Sequence, residues 1–394
     1  MVNNKEAVIV SACRTAVGAF NGALATVPAT KLGSIVIEEA LKRVNINTSD
    51  VDEVIMGCVL PAGLGQAPAR QAALGAGLPT NVECMTINKV CGSGLKAVML
   101  ATQAILLGDA DIIVAGGMEN MSQAPYYLEK ARQGYRLGHG QLVDGLIKDG
   151  LWDVYNNYHM GNAAELCARE KTITRQDQDE FAELSYKRAL AAQESGWFTD
   201  EIVPVSISQR KGDPLSVSED EEPKKVNFDK MKTLRPAFDE DGTVTAANAS
   251  KINDGAAAIV VMSADKAKEL GIEPLVTIKG QASFAHKPEW FTTAPIGAIQ
   301  KVLKKSNLDL NEIDLFEINE AFSVVLLAAQ RELAIPMDKI NIHGGAVAIG
   351  HPIGASGARI LTTLIYALKR TNLKKGLVTL CIGGGEAAAL TVES

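Results

Sequence analysis

The residues best suited to chemistry stand in four glycine-marked segments. Asn88-Lys-Val-Cys91-Gly-Ser-Gly94 follows the strand-like MTIN and opens a long helix-forming stretch. A cysteine on such a turn has its sulfur beside unpaired backbone N–H groups and the positive end of a helix dipole, both of which favour thiolate. Cys91 is therefore a candidate nucleophile; the plainer reading is a buried thiol that fills space. In the run Gly344 to Gly357, GGAVAIGHPIGASG, the sole ionisable side chain is His351, which makes it a candidate base. A Cys–His pair needs no proximity in sequence. Cys381 closes the strand-like GLVTLC before Gly383-Gly-Gly385, and Asn319 ends the strand-like IDLFEIN. Sheets of α/β proteins gather their sites at strand C-termini, and an amide there can hold a water or donate to an oxyanion. The glycines around His351 lack the G-x-G-x-x-G spacing and the following acidic residue of a dinucleotide site.

These segments need a frame, and the chain builds it twice. LKRVNINTSDVDEVIMG (Leu41–Gly57) aligns without a gap on LKKSNLDLNEIDLFEIN (Leu303–Asn319), about 262 residues later. Gly92–Glu119 answers Ala355–Glu386, with Ser93-Gly94 on Ser356-Gly357. Units of this size at so long a spacing imply two fused copies of one α/β domain rather than a solenoid. Cys381 then faces Ala115–Gly117 of the first copy, which has no thiol, and Asn319 replaces Gly57. The apolar runs AVIVSA, VDEVIMGCV and ADIIVAGG in one copy, and LVTIKG, IDLFEIN and GLVTLC in the other, suit strands. Helical patterns cover 31–44 and 92–107 in the first copy, and 294–305, 320–333 and 356–371 in the second. The alternation predicts sheets covered by helices on both faces. The expected division is a first core half over 1–120, completed by about 249–270, an insertion over 121–248, and a second half over 271–394. The insertion carries two of the three tryptophans and a charge-rich loop, and long excursions of this kind are commonly functional.

Composition narrows the function classes. The chain has 394 residues, 47% hydrophobic and 22% charged, which is ordinary for a globular protein. A net charge of −7 argues against nucleic acid as the main partner. The opening MVNNKEAVIV lacks a signal-peptide layout and no uninterrupted apolar run approaches the ~18–20 residues of a membrane span, so no membrane partner and a cytoplasmic location are expected. The six cysteines form no C-x-x-C pair and no metal set is apparent. Cys13, Cys58, Cys84 and Cys167 read as packing thiols, and His139 and His343 as structural or surface residues.

The motifs NKVCGSG, NEAF, GHPIGASGAR and C-x-G-G-G, with RTAVGAF (14–20), GQAPARQ (65–71) and NDGAA (253–257), resemble those of the thiolases in order and spacing over essentially the whole chain. The resemblance implies a duplicated, thiolase-like α/β core layered αβαβα with an inserted loop subdomain. It further implies an acetyl-CoA C-acetyltransferase, with a degradative 3-ketoacyl-CoA thiolase of broader chain length as the alternative. On the matching positions, Cys91 would accept the acyl group, His351 activate it, and Cys381 move the α-carbon proton. Asn319 would hold a water that with His351 forms one oxyanion site, and the N–H groups of Cys91 and Gly383 the other. Coenzyme A contacts would fall on Leu151, His159, Met160, Lys230, Phe238, Ala246, Ser250, Ala321 and Phe322, and the acyl pocket on Met160 and Phe291.

Two departures accompany the match. The phosphate-side stretch is Pro223-Lys224-Lys225 with Lys230 downstream, where short-chain members often carry arginine, and Phe291 stands where many carry a pocket methionine. The partners implied are acetyl-CoA, acetoacetyl-CoA and CoA, as substrates and with no cofactor. YYLEKARQGYRLGHG (126–140) resembles the loop that joins dimers into a homotetramer.

Overall fold

A computed structural model describes residues 5–209 and 211–394. In chain order its main elements are β1 (Ala7–Thr15), α1 (Ala29–Arg43), β2 (Glu53–Gly57), β3 (Glu83–Ile87), α2 (Ser93–Leu107), β4 (Ile112–Asn120), α3 (Met160–Glu170) and α4 (Arg175–Glu194). After these come β5 (Asn253–Ser263), β6 (Val276–Ala285), α5 (Ala294–Ser306), β7 (Leu315–Ile318), α6 (Ser323–Leu333), α7 (Ser356–Thr371), β8 (Lys375–Ile382) and β9 (Glu386–Glu393).

The strands pair in the order β7-β8-β9-β6-β1-β5-β4-β2-β3. Read outward from the middle, the order repeats on both sides. β1, β5, β4 and β2 match β6, β9, β8 and β7, with parallel ladders only at β2–β4 and β7–β8 within these sets. Even the irregularities correspond, since β1 slips register between Ile9 and Ser11 and β6 between Ile278 and Gly280. The halves join through a short antiparallel ladder, Val8 opposite Thr277 and Ile9 opposite Val276.

Both faces of each half are covered, which explains the unbroken apolar runs. Ile112 and Val114 of β4 pack outward with Leu32 and Val36 of α1, while Ile113 and Ala115 pack inward with Leu95 and Val98 of α2 and Leu361 and Leu364 of α7. Leu377 of β8 packs outward with Ile299 of α5 and Val325 of α6, and Val378 and Leu380 join the inner cluster. The layers are therefore helix, sheet, helix pair, sheet, helix. The stretch Val90–Leu107 has the length and hydropathy of a membrane span, yet α2 lies between two sheet faces, and burial there accounts for its composition. From the insertion, α4 adds Ala182, Tyr186 and Ala189 to the outer cluster of the first half, and α3 adds Ala163, Ala164 and Cys167 to that of the second.

The central helices meet start to start. A Cβ added to Gly94 would lie 2.8 Å from the Ala358 nitrogen, and one added to Gly357 would lie 2.3 Å from the Leu95 nitrogen. Gly117 of β4 is equally tight, with its added Cβ 2.0 Å from the carbonyl oxygen of Gly354. Gly117→Ala should therefore destabilise the fold by about 2–3 kcal/mol, whereas Gly255→Ala on β5 should change it by less than about 1 kcal/mol. At Gly255 the nearest atoms lie 3.4 Å from the added Cβ. Urea unfolding midpoints measure the difference, and equal midpoints for the two variants would contradict the backbone contact.

Candidate active site

The turn before α2 presents Cys91. Val90 sits in the left-handed region at φ 45°, and the turn is pinned by side chains on both sides of it. Asn88 Oδ1 accepts from the Val90 N–H at 2.9 Å, and Ser93 Oγ accepts from the Lys89 N–H at 2.8 Å while donating to the Val90 carbonyl at 2.7 Å. Gly92 is tight against Ile382, whose Cδ1 would lie 2.4 Å from an added Cβ. The backbone N–H groups of Cys91 and Gly383, the pair expected to form an oxyanion site, act on the Cys91 sulfur in the direction that favours thiolate. These donors favour thiolate, but burial outweighs them and pushes the thiol up to about 12. The sequence expectation of a thiolate favoured by its turn is thus reversed for the unliganded site: Cys91 rests as a thiol.

His351 opens the approach to α7. Its backbone N–H donates to Asn253 Oδ1 at 2.9 Å, and its Nδ1 lies 2.6 Å from Ser356 Oγ. Ser356 Oγ also lies 2.8 Å from the Pro352 carbonyl, which can only accept, so the hydroxyl proton goes there. Nδ1 then carries the ring proton and donates to Ser356, leaving a lone pair on Nε2. That nitrogen is buried and has no partner among the described residues. Burial, with the Arg359 guanidinium nearby, pushes the imidazole down to about 3, so it is neutral.

Asn319 follows β7 and is held without using its side chain. Its N–H donates to the Thr379 carbonyl at 3.0 Å. On either side, Asn341 Oδ1 accepts from the Ile318 N–H and Asn341 Nδ2 donates to Glu320 Oε1, both at 2.8 Å. Glu320 Oε2 accepts from Ser185 Oγ at 2.7 Å and from the Val347 N–H at 3.0 Å. Both polar atoms of the Asn319 side chain are buried and have no partner among the described residues, as suits a group reserved for water or substrate. Cys381, on β8 opposite Ala387, is buried, and burial together with the neighbouring Cys91 sulfur pushes its thiol well above the usual range. Among the described residues no cluster of three His, Cys, Asp or Glu side chains could hold a metal.

A cleft of about 540 Å³ leads to this point, lined by Val59, Asn88, Val90, Met160, Gly383 and Gly384 among others. His159 stacks on Phe238 at 4.8 Å, Phe238 meets Phe322 edge-on at 6.1 Å, and Phe322 meets Phe291 at 6.3 Å. Gly161 lets Phe238 approach, since an added Cβ would lie 2.3 Å from that ring. The segment from Thr245 to Ser250 docks on NEAF, with the Ser250 N–H donating to the Ala321 carbonyl at 3.0 Å and the Ser323 N–H to the Asn248 carbonyl at 2.9 Å. Met160, Phe291, Phe322 and Cys381 share one apolar cluster. Leu151 packs beside a separate small cluster containing Val59 and Ile353, Ala246 is exposed, and Lys230 is exposed on a four-residue helix. Cys13, Cys58 and Cys167 are buried, Cys84 is partly buried, and His343 is buried against Trp197. The roles of Ser356, Asn253 and Asn341 were not read from the sequence. Ser356 stands at a helix start five residues after His351, and that spacing is the one signal that could have found it.

The chain matches the family model of the thiolase N-terminal domain over residues 7–265 and that of the C-terminal domain over residues 272–394. It is 57% identical over 389 residues to an acetyl-CoA acetyltransferase of Cupriavidus necator, covering 98% of this chain and 99% of that protein. It is 55% identical to acetyl-CoA acetyltransferase 2 of Arabidopsis thaliana, covering 100% of this chain and 98% of that protein. The crystal structure of the Bacillus anthracis acetyl-CoA acetyltransferase superposes with a TM-score of 0.97 at 43% identity, over the whole of both chains.

The buried imidazole has a stability signature. His351 is depressed from 6.5 to about 3, so below pH 6.5 the unfolded chain takes up a proton that the folded chain refuses. Its contribution is complete above pH 6.5 and is lost at roughly 1.4 kcal/mol per pH unit as pH falls toward about 3. His351→Asn should show a shallower loss of stability than the native chain between pH 6 and pH 4 in urea unfolding. Parallel losses would mean that the imidazole is not held neutral.

Proposed function

The chain belongs to the thiolase family, and on that premise we propose that its crevice carries out acetyl-CoA C-acetyl transfer, the reversible Claisen condensation of two acetyl-CoA to acetoacetyl-CoA and CoA. The observation that carries the mechanism is the close approach of the helix starts at Gly94 and Gly357, which brings the Cys91 loop beside the His351 loop, with Cys381 near enough to the Cys91 sulfur to be pushed up by it. Cys91 attacks the thioester carbonyl as its proton passes to the free Nε2 of His351. The oxyanion forms on the N–H groups of Cys91 and Gly383, and the departing CoA sulfur needs a proton to leave as free thiol. Cys381 supplies it, because burial keeps that residue protonated until an acceptor arrives. The site then holds acetyl-Cys91, a protonated His351 and a Cys381 thiolate.

The second acetyl-CoA loses an α-proton to Cys381, and the enolate oxygen is held by His351 and an Asn319-bound water. The carbanion attacks acetyl-Cys91; the new carbon–carbon bond forms as the Cys91–acyl bond breaks, and the Cys91 sulfur recovers its proton from His351. Every proton is returned, so the cycle requires no cofactor beyond its CoA thioester substrates. Thiolysis is the same path reversed.

We further propose a homotetramer working in a reducing, cytoplasmic setting. Exposed Leu128, Leu137 and Leu142 in the insertion and six free thiols support this.

Labelled acetyl-CoA should leave one acetyl group per subunit on the peptide containing Cys91. Cys381→Ala should still take up acetyl, but more slowly because the thiol that protonates the departing CoA is gone, and it should lose deuterium exchange at the α-carbon of acetyl-CoA. Label on Cys381, or native exchange rates in Cys381→Ala, would overturn these assignments.

Chain length tests the pocket. Phe291 is buried edge-on to Phe322 in the cluster that contains Met160 and Cys381, and a bulky ring there should leave little room past the reacting carbons. kcat/KM should fall at least about tenfold from acetoacetyl-CoA to 3-ketohexanoyl-CoA, although a pocket with room would gain ~0.8 kcal/mol per added methylene. Phe291→Ala should recover part of the loss. Equal or rising values from four to eight carbons would favour the degradative thiolase.

A further inference from the structure

Glu119 is a fully buried carboxylate that the mechanism above does not use. It lies next to the last residue of β4, and a second glutamate, Glu386, is the first residue of β9. Each of them reaches across to the other repeat. Glu119 accepts from the Gly354 N–H at 2.8 Å, in the loop between His351 and α7. Glu386 is ion-paired with Lys89, in the loop between β3 and Cys91. Glu119 also accepts from the N–H groups of Val59 at 3.0 Å and Leu60 at 3.1 Å, beside the cleft, and has the Cys58 thiol at 3.6 Å. Its Oε2 leaves no space for a side chain at Gly354, where an added Cβ would lie 2.5 Å away.

We propose that these two glutamates are reciprocal positioning residues: Glu119 of the first repeat sets the His351 loop of the second, and Glu386 of the second sets the Cys91 loop of the first. A carboxylate is suited to the buried arm because its two oxygens accept several N–H groups at once. An amide at the same place offers one acceptor and turns an N–H donor toward N–H donors. Glu386 works at the surface, its side chain 37% exposed, so a water-screened ion pair with Lys89 is the weaker arm. The consequence is catalytic because proton transfer from Cys91 to His351 and attack on the thioester depend on relative placement, where a displacement of about 1 Å costs on the order of a hundredfold in rate. Glu119 meets the cleft lining only at the backbone N–H of Val59, and neither glutamate has a hydrogen bond to a residue expected to hold coenzyme A, so binding should be largely spared.

The inference rests on the acetyl-transfer reading, and the test separates the two. Acetyl loading of native Cys91 tests the reading, and the variants are compared with that loading. Glu119→Gln should lower kcat for acetyl transfer on the order of a hundredfold with KM for acetyl-CoA within about threefold of native. Glu119→Asp, which keeps the charge, should recover a substantial part of the loss. Glu386→Gln, at a partly exposed site where folding is not at risk, should lower kcat several-fold with an unchanged melting temperature, and high salt should reduce the native rate toward that of the variant. Native kcat in folded Glu386→Gln overturns the reciprocal arrangement. Native kcat in Glu119→Gln, a loss no greater than its loss of folded protein, or a loss confined to KM overturns the role of Glu119.

Discussion

The backbone crossing of α2 and α7 is the contact on which the rest of the molecule depends. Two helices approach this closely only where side chains are absent, and Gly94 and Gly357 provide the opening at equivalent points of the two repeats. Once the helix starts touch, the loops that lead into them emerge side by side. Those loops carry Cys91 and His351, 260 positions apart in the chain. The surrounding layers serve this crossing: both sheet halves press inward on the helix pair, and the apolar character of α2 follows from the burial of Leu95, Val98, Ala101 and Ile105 between them. Gly57 and Gly117 complete the seam, since each would place a Cβ against the Gly354 carbonyl.

The same enclosure decides the electrostatics. A helix start and a pair of N–H donors favour a thiolate by ~1–2 kcal/mol, yet moving the Cys91 thiol from 9.0 to about 12 corresponds to about 4 kcal/mol in the other direction. Burial wins, and it also holds His351 neutral and Cys381 protonated. A lone charge of either sign is costly in such a site, whereas a thiolate beside an imidazolium is not lone. Chemistry that moves protons in matched steps is therefore favoured over a site that waits with a standing charge. The unpartnered atoms of Asn319 and the free Nε2 of His351 are the places where substrate or water can complete the polar contacts.

Much of this was legible because glycine carries information. The duplicated segments revealed the two halves, and the glycine-rich turns singled out Cys91, His351 and Cys381. Unbroken apolar runs marked the strands buried on both faces. What escaped were β5 and β9, whose alanine-rich stretches GAAAIVVM and EAAALTV show no alternation and read as readily as helix. The antiparallel character of the sheet escaped with them. Ser356, Asn253, Asn341 and Glu119 escaped for a different reason. Each acts through a hydrogen bond to a loop fixed by tertiary structure, and polar residues of their kind are too common for type alone to single them out. Lys230 shows the converse, because a position matched by resemblance lies exposed on a short helix with no contact that defines its role.

A symmetric frame holds an asymmetric site because the two glycine clusters end their strands differently. In the first repeat β4 continues through Gly116 and Gly117 to Asn120, and both glycines lie in the ladder opposite Ala258 and Ala257 of β5. The Gly354 carbonyl fills the space where a side chain at Gly117 would stand. In the second repeat β8 stops at Ile382, and Gly384 and Gly385 take φ values of +91° and +85° to turn the chain back into β9. The N–H of Gly383 is thereby released from strand pairing and favours a thiolate at Cys91. A thiol two residues before that turn, at Cys381, lies near enough to the same sulfur to be pushed up by it. One repeat spends its glycines on packing the seam; the other spends them on a turn that frees a donor and places a second thiol beside the first.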